Sequence, residues 1–176
     1  MTVAQLVVPV SECDHILGSR SATVTLLEYG NYESPRCKEV HHTIKTIQKR
    51  DDRSFCFVFR HFPLTAIHPM AQHAAETAEA AAAQGYFWEV HDYLFEQQHY
   101  RGNGKLLRFA ASLGLDVDRF EREVAEHLYV PKIQADRESG IASGVNGIPT
   151  FFINRDRYNG SLTNEALLAA IEQVGQ

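Results

Sequence analysis

The stretch Val24-Thr-Leu-Leu-Glu-Tyr-Gly-Asn-Tyr-Glu-Ser-Pro-Arg-Cys37 decides how the rest of the chain is read. Its first half, within Thr23 to Tyr29, is β-branched at the start and apolar, which is strand character. Ser34 then suits a helix N-cap, and Pro35 the first helical position, where a fixed φ and a missing N–H cost nothing. Cys37, Val40, Ile44 and Ile47 follow at spacings of three, four and three, so they share one helix face with Cys37 at its head. A second strand, Ser54 to Arg60, alternates Phe55, Phe57 and Phe59 on one side. The order is therefore strand, helix, strand.

Outward from this unit the period changes twice. From Pro69 to about Ser143 the pattern is helical: an Ala-rich stretch, Met70 to Gln84, stops at Gly85, Tyr86 to Gln97 follows, and Gly104, Gly114 and Pro131 punctuate three further segments. Strand character returns at Thr150 to Ile153 and, after the turn Asn154-Arg155-Asp156, near Arg157 to Asn159. A last amphipathic helix carries Leu167, Leu168, Ile171 and Val174. Both ends of the helical block return to strands, so the pattern predicts one α/β domain over residues 1–176, a mixed sheet flanked by helices, with an insertion over 66–143.

Composition narrows the partners. Seventeen basic residues against twenty-two acidic ones give a net charge of −5, and neither sign runs in a block. That balance offers no footprint for nucleic acid or an anionic membrane, and no apolar run approaches the ~20 residues of a membrane span. No Lys or Arg precedes the short apolar run near the N-terminus and no small-residue cleavage site follows it, so the chain as written is expected to be cytoplasmic; the alternative is an exported mature form with a replaced leader. Three cysteines, Cys13, Cys37 and Cys56, are too few and too scattered for a disulfide framework. Cys56 begins the strand after the helix and so stands roughly 20 Å from Cys37 at ~1.5 Å per residue, beyond the ~7 Å that a disulfide spans. Cys13 lies in a polar segment, Ser11 to Ser19, that the pattern does not place; it reads as an incidental exposed thiol, with a link to Cys37 left open.

Residues 14 to 174 resemble the DsbA-like branch of the thioredoxin superfamily. Besides the opening stretch, the resemblance rests on Phe57-Val-Phe-Arg-His-Phe-Pro-Leu64 with His68-Pro69, on Gly85-Tyr-Phe-Trp-Glu-Val-His-Asp-Tyr-Leu-Phe95, and on Ser143-Gly-Val-Asn-Gly-Ile-Pro-Thr-Phe-Phe-Ile-Asn154. It implies a thioredoxin-like fold with a helical insertion, and a redox helix starting at position 34. Ser34 then occupies the position of the attacking cysteine of a Cys-x-x-Cys motif, Cys37 that of the resolving cysteine, and Pro149 that of a cis-proline loop facing them. Pro35, Arg36, Ile148 and Thr150 would border the substrate groove. The implied parent is an enzyme, a thiol-disulfide oxidoreductase acting on protein or small-molecule thiols and disulfides without a cofactor.

The serine alters that reading. A dithiol couple needs two sulfurs, and a hydroxyl stays protonated near neutral pH unless a base takes its proton. The sequence shows no such base close by, so this chain, whether its serine is engineered or natural, is expected to be inactive in dithiol exchange. Two alternatives keep Ser34 in use: a glutathione-dependent transferase or isomerase resembling the kappa class, in which the serine hydroxyl would donate to the thiolate of bound glutathione, and a peptide-binding module without chemistry. Nine histidines are present, but no two closely spaced Cys/His ligand motifs, so no metal is expected. His61 reads as structural, the aromatics Tyr86, Phe87, Trp88, Tyr93 and Phe95 as the core of the helical block, and the Ala-rich helix as packing.

Overall fold

A computed structural model describes residues 4–50, 55–98 and 103–176. Ser54, read as the start of the second strand, and residues 99–102 of the helical block lie outside the described residues. Among the described residues are five strands, β1 His15–Leu17, β2 Val24–Gly30, β3 Phe55–His61, β4 Thr150–Ile153 and β5 Asp156–Tyr158, in the spatial order β1-β3-β2-β4-β5. β2 and β3 are parallel neighbours joined through α1 (Pro35–Arg50); the remaining pairings are antiparallel, so the sheet is mixed. Helices α2 (Ala71–Ala82), α3 (Phe87–Glu96), α4 (Asn103–Leu113), α5 (Val117–Ala125) and α6 (Val130–Ala142) stand between β3 and β4, and α7 (Asn164–Gly175) closes the chain.

The period of two along the central strands sorts side chains to two faces. Val24 and Leu26 of β2, Phe55, Phe57 and Phe59 of β3, and Phe151 and Ile153 of β4 pack with Cys37, Val40, Ile44 and Ile47 of α1 and Leu167 and Ile171 of α7. The alternate residues Leu27, Tyr29, Val58 and Phe152 build a second cluster with Leu6, Phe62 and Val145. α6 lies over this second face. Its Ser139 Oγ is 2.7 Å from Tyr29 Oη, and a Cβ on its Gly140 would come within 2.9 Å of the Phe62 ring.

The polar segment that the pattern left unplaced has a definite course. Gln5 bridges to Asp156, Leu6 N–H donates to Arg155 O and Arg157 N–H to Ala4 O, so residues 4–6 run along β5 at one sheet edge. It then crosses the second face and enters β1, which pairs with β3 at the other edge through His15–Phe59, Ile16–Val58 and Leu17–Phe57. Arg60 holds the crossing: its guanidinium donates to Val8 O, Pro9 O, Tyr29 Oη and both carboxylate oxygens of Asp14, at 2.7–3.0 Å. Burial opposes ionisation of Asp14, yet the hydrogen bonds from Arg60 and from Ser11 N–H outweigh it and hold the carboxyl below its ordinary value.

Candidate functional site

The loop between β2 and α1 is built by short polar side chains acting on their own backbone. Asn31 Oδ1 accepts from Glu33 N–H at 3.1 Å and Ser34 N–H at 3.0 Å, an Asx-type turn that pairs these two backbone donors. Ser34 Oγ then accepts from Cys37 N–H at 3.2 Å, the N-cap bond anticipated for this helix. The helical insertion grips the loop from two sides. Gln98 Nε2 donates to Tyr32 O at 2.9 Å and to Ser34 O at 2.7 Å, and Glu33 Oε2 accepts from Met70 N–H at 2.7 Å. Ser34 is consequently buried at 4% exposure, whereas Pro35 and Arg36 are exposed. The position that the resemblance treats as open to attack is shielded here, because its carbonyl and hydroxyl both face protein partners.

Cys37 is fully buried rather than partly shielded. β2 parity puts Glu28 on the α1 face with Val24 and Leu26, and its carboxyl reaches the thiol. A Cβ built on Gly30 would stand 2.8 Å from Glu28 Oε1 and 3.3 Å from Cys37 Sγ, so only glycine at 30 leaves room for the pair. Burial pushes the Glu28 carboxyl up to about 8, with the Cys37 contact pulling the other way; burial and then the nearby Glu28 charge push the Cys37 thiol up to about 12. Near neutral pH the pair is mostly a neutral acid beside a neutral thiol. Among the described residues Glu28 Oε1 has no hydrogen-bond partner. Sequence reasoning passed over this base; its signal was a lone acid in the i, i+2 series of an apolar strand.

The other half of the site lies across β4. Tyr29 pairs with Thr150, so Pro149 stands where β2 ends and the 31–34 loop begins; the Ile148–Pro149 peptide bond is cis. Ile148 and Pro149 are half-buried. Thr150 is buried, and its hydroxyl donates to Gly147 O at 2.8 Å, shaping the loop from within. Pro35, Arg36, Ile148 and Pro149 thus present surface at the same end of the sheet, with Ser34, Cys37 and Thr150 beneath it. Cys13 is an exposed free thiol, while Cys37 and Cys56 are buried free thiols, with no disulfide between them.

Two polar clusters flank this centre. Glu79 Oε1 accepts from His15 Nε2 and His61 Nε2 at 2.8 Å each, and Asp136 accepts from His61 N–H and Lys132. Burial works against the Glu79 charge, but the two imidazoles hold the carboxyl far below its ordinary range. The Ala-rich α2 therefore carries more than packing: Glu76 and Glu79 are on its buried side. Next to α1, Tyr32 Oη is hydrogen-bonded to His91 Nδ1 at 3.0 Å, and His41 Nε2 lies 3.6 Å from Asp92 Oδ1. Phe87 and Phe95 are buried in the core of the helical block, with Tyr86, Trp88 and Tyr93 packed at its edge.

The family model described as Thioredoxin matches residues 11–173. Among solved structures, oxidised BdbD from Bacillus subtilis superposes with a TM-score of 0.85 at 22% identity, over 98% of this chain and 97% of that one. DsbA2 from Pseudomonas aeruginosa gives a TM-score of 0.73 at 26% identity, over 92% and 94%. A Na(+)/H(+) antiporter NhaA 3 from Salinispora tropica is 43% identical over 170 residues; these are 96% of this chain and 26% of the antiporter, so the chain spans about a quarter of that relative's length. Among the described residues no helix is long and apolar enough to cross a membrane. The match over nearly the whole length, together with the mixed sheet and its inserted helices, places the chain in the thioredoxin superfamily, with the DsbA-like form of the fold.

Proposed function

We propose that this chain is a thiol-disulfide oxidoreductase scaffold of the DsbA-like kind whose attacking position is Ser34, so that the parent chemistry is exchange with protein or small-molecule thiols and the chain as written does not perform it. The observation that carries this reading is the placement of Cys37 Sγ against the Glu28 carboxyl, beneath a loop that ends at Ser34. In such chemistry a thiolate at position 34 attacks a substrate disulfide, and the thiol at 37 resolves the mixed disulfide after losing its proton. Glu28 is placed to take that proton in its ionised form, which becomes the main one above about pH 8. With an oxygen at 34 the first step has no nucleophile, and the Cys37 thiol is neutral and shielded. An extended substrate segment would lie along Ile148 and Pro149, pairing with the strand end as an added strand does.

Replacing Ser34 by Cys supplies the missing sulfur at a helix N-terminus, where backbone N–H groups favour a thiolate. Ser34→Cys is expected to catalyse insulin reduction or dithiol oxidation well above background; a rate equal to the uncatalysed one would overturn the reading. The glutathione-dependent alternative has its own test: no binding of glutathione at millimolar concentration in a thermal-shift titration would remove it. The antiporter name belongs to relatives about four times as long as the segment matched, and we assign no ion transport to this chain.

A further inference from the structure

We propose that His41, His91 and Asp92 form a binding site for one divalent transition cation of the zinc class, clamping α1 to α3 beside the active-site loop. One ligand atom from each residue lies within 4.8 Å of the others, and the His41 Nε2 to Asp92 Oδ1 separation is 3.6 Å. Ligands bound at ~2.0–2.1 Å in a tetrahedron are about 3.4 Å apart, so this pair stands almost at the coordinating distance. Tyr32 Oη is hydrogen-bonded to His91 Nδ1 at 3.0 Å, which fixes the ring as an outer partner does for a metal-binding imidazole and makes Nε2 the nitrogen proposed to bind the ion. The His41 ring is held against Phe95, centroids 4.9 Å apart and planes 24° from parallel.

Two imidazoles and one carboxylate suit Zn²⁺, Co²⁺ or Ni²⁺ rather than the all-oxygen preference of Ca²⁺ or Mg²⁺. Three protein ligands leave a fourth position for water. Asp92 is 28% exposed, so a hydrated ion can reach the site from solvent, and Lys45 Nζ contacts the other Asp92 oxygen as a competing cation. The second convergence of ligand-type residues, His61, Glu79 and Asp136, is already closed by hydrogen bonds from His15, His61 and Lys132. No spacing motif marks the proposed site in the sequence, because its ligands come from two helices about fifty residues apart.

The full chain is titrated with Zn²⁺ by calorimetry and with Co²⁺ by absorption. The site predicts one equivalent of either ion, visible d–d bands from Co²⁺ without a thiolate-to-cobalt charge-transfer band, and at least about tenfold weaker binding in Asp92→Asn and in His41→Ala. Lys45→Gln is expected to tighten binding by removing the competing ammonium. Asp92 is partly exposed, so Asp92→Asn keeps the test valid if His41→Ala fails to fold. Absence of binding at millimolar Zn²⁺, affinity unchanged in Asp92→Asn, or a charge-transfer band that assigns the ion to a cysteine would overturn the proposal.

Discussion

At the scale of single residues, Glu28 sets the pH behaviour of the molecule's centre. Its folded carboxyl titrates at about 8, above the ordinary value of 4.5, so the folded protein holds this proton more tightly than the unfolded chain. The stability it contributes is complete below about 4.5 and is lost as pH rises through about 8, at a rate of about 1.4 kcal/mol per pH unit within that window. Glu28→Gln removes the titration. Urea unfolding of both proteins at pH 5 and pH 8.5 is expected to show the variant gaining a few kcal/mol on the parent at the higher pH; an unchanged difference would mean that the carboxyl is already ionised in the fold. The residue was invisible in the sequence as a base because nothing local distinguishes a buried acid from an exposed one in a seven-residue strand. Ser34, Pro35 and Cys37 were legible because capping and helical spacing are local properties, whereas the burial of Ser34 depends on Gln98, more than sixty residues away.

Among the elements, α6 shows how close packing fixes a helix on a sheet. Gly140 faces the second cluster, and a methyl group there would stand 2.9 Å from the Phe62 ring and 3.0 Å from Tyr29 Cδ1, both buried aromatics with little freedom to withdraw. Gly140→Ala gains helix propensity worth up to about 1 kcal/mol, but overpacking of this kind costs about 1–3 kcal/mol. A net loss of stability in urea unfolding is the expected result, and a gain would show that α6 is free to move off the sheet. These elements were legible from period and caps: Thr150 to Ile153 coincides with β4, α2, α3 and β2 fall within a few residues of their expected ends, and α1 starts at Pro35 and carries the expected stripe. β1 was not, because a three-residue edge strand inside a polar segment has too few positions for an alternation to register.

For the whole molecule, the crossing segment ties the two sheet edges together, and the tie is ionic. Arg60 and Asp14 are 3% and 4% exposed at their side chains. Breaking such a pair strands a charge without solvent, so Arg60→Met is expected to cost about 3–5 kcal/mol. The double variant Asp14→Leu with Arg60→Met should recover much of that loss, since two apolar groups leave no charge behind; chemical denaturation of the three proteins checks both statements. If the single variant is as stable as the parent, the crossing is held by Leu6 and the backbone bonds instead.

The course of the chain also has a consequence for orientation. α7 ends with Gly175 against Val24 and Thr23, where β2 begins. Ser34, Cys37 and Pro149 occupy the opposite pole, beyond Gly30. A bead or a surface coupled near the end of α7 would therefore hold the molecule by the Val24 pole, and the face carrying Pro35, Arg36 and Ile148 would point outward like the head of a stalked probe.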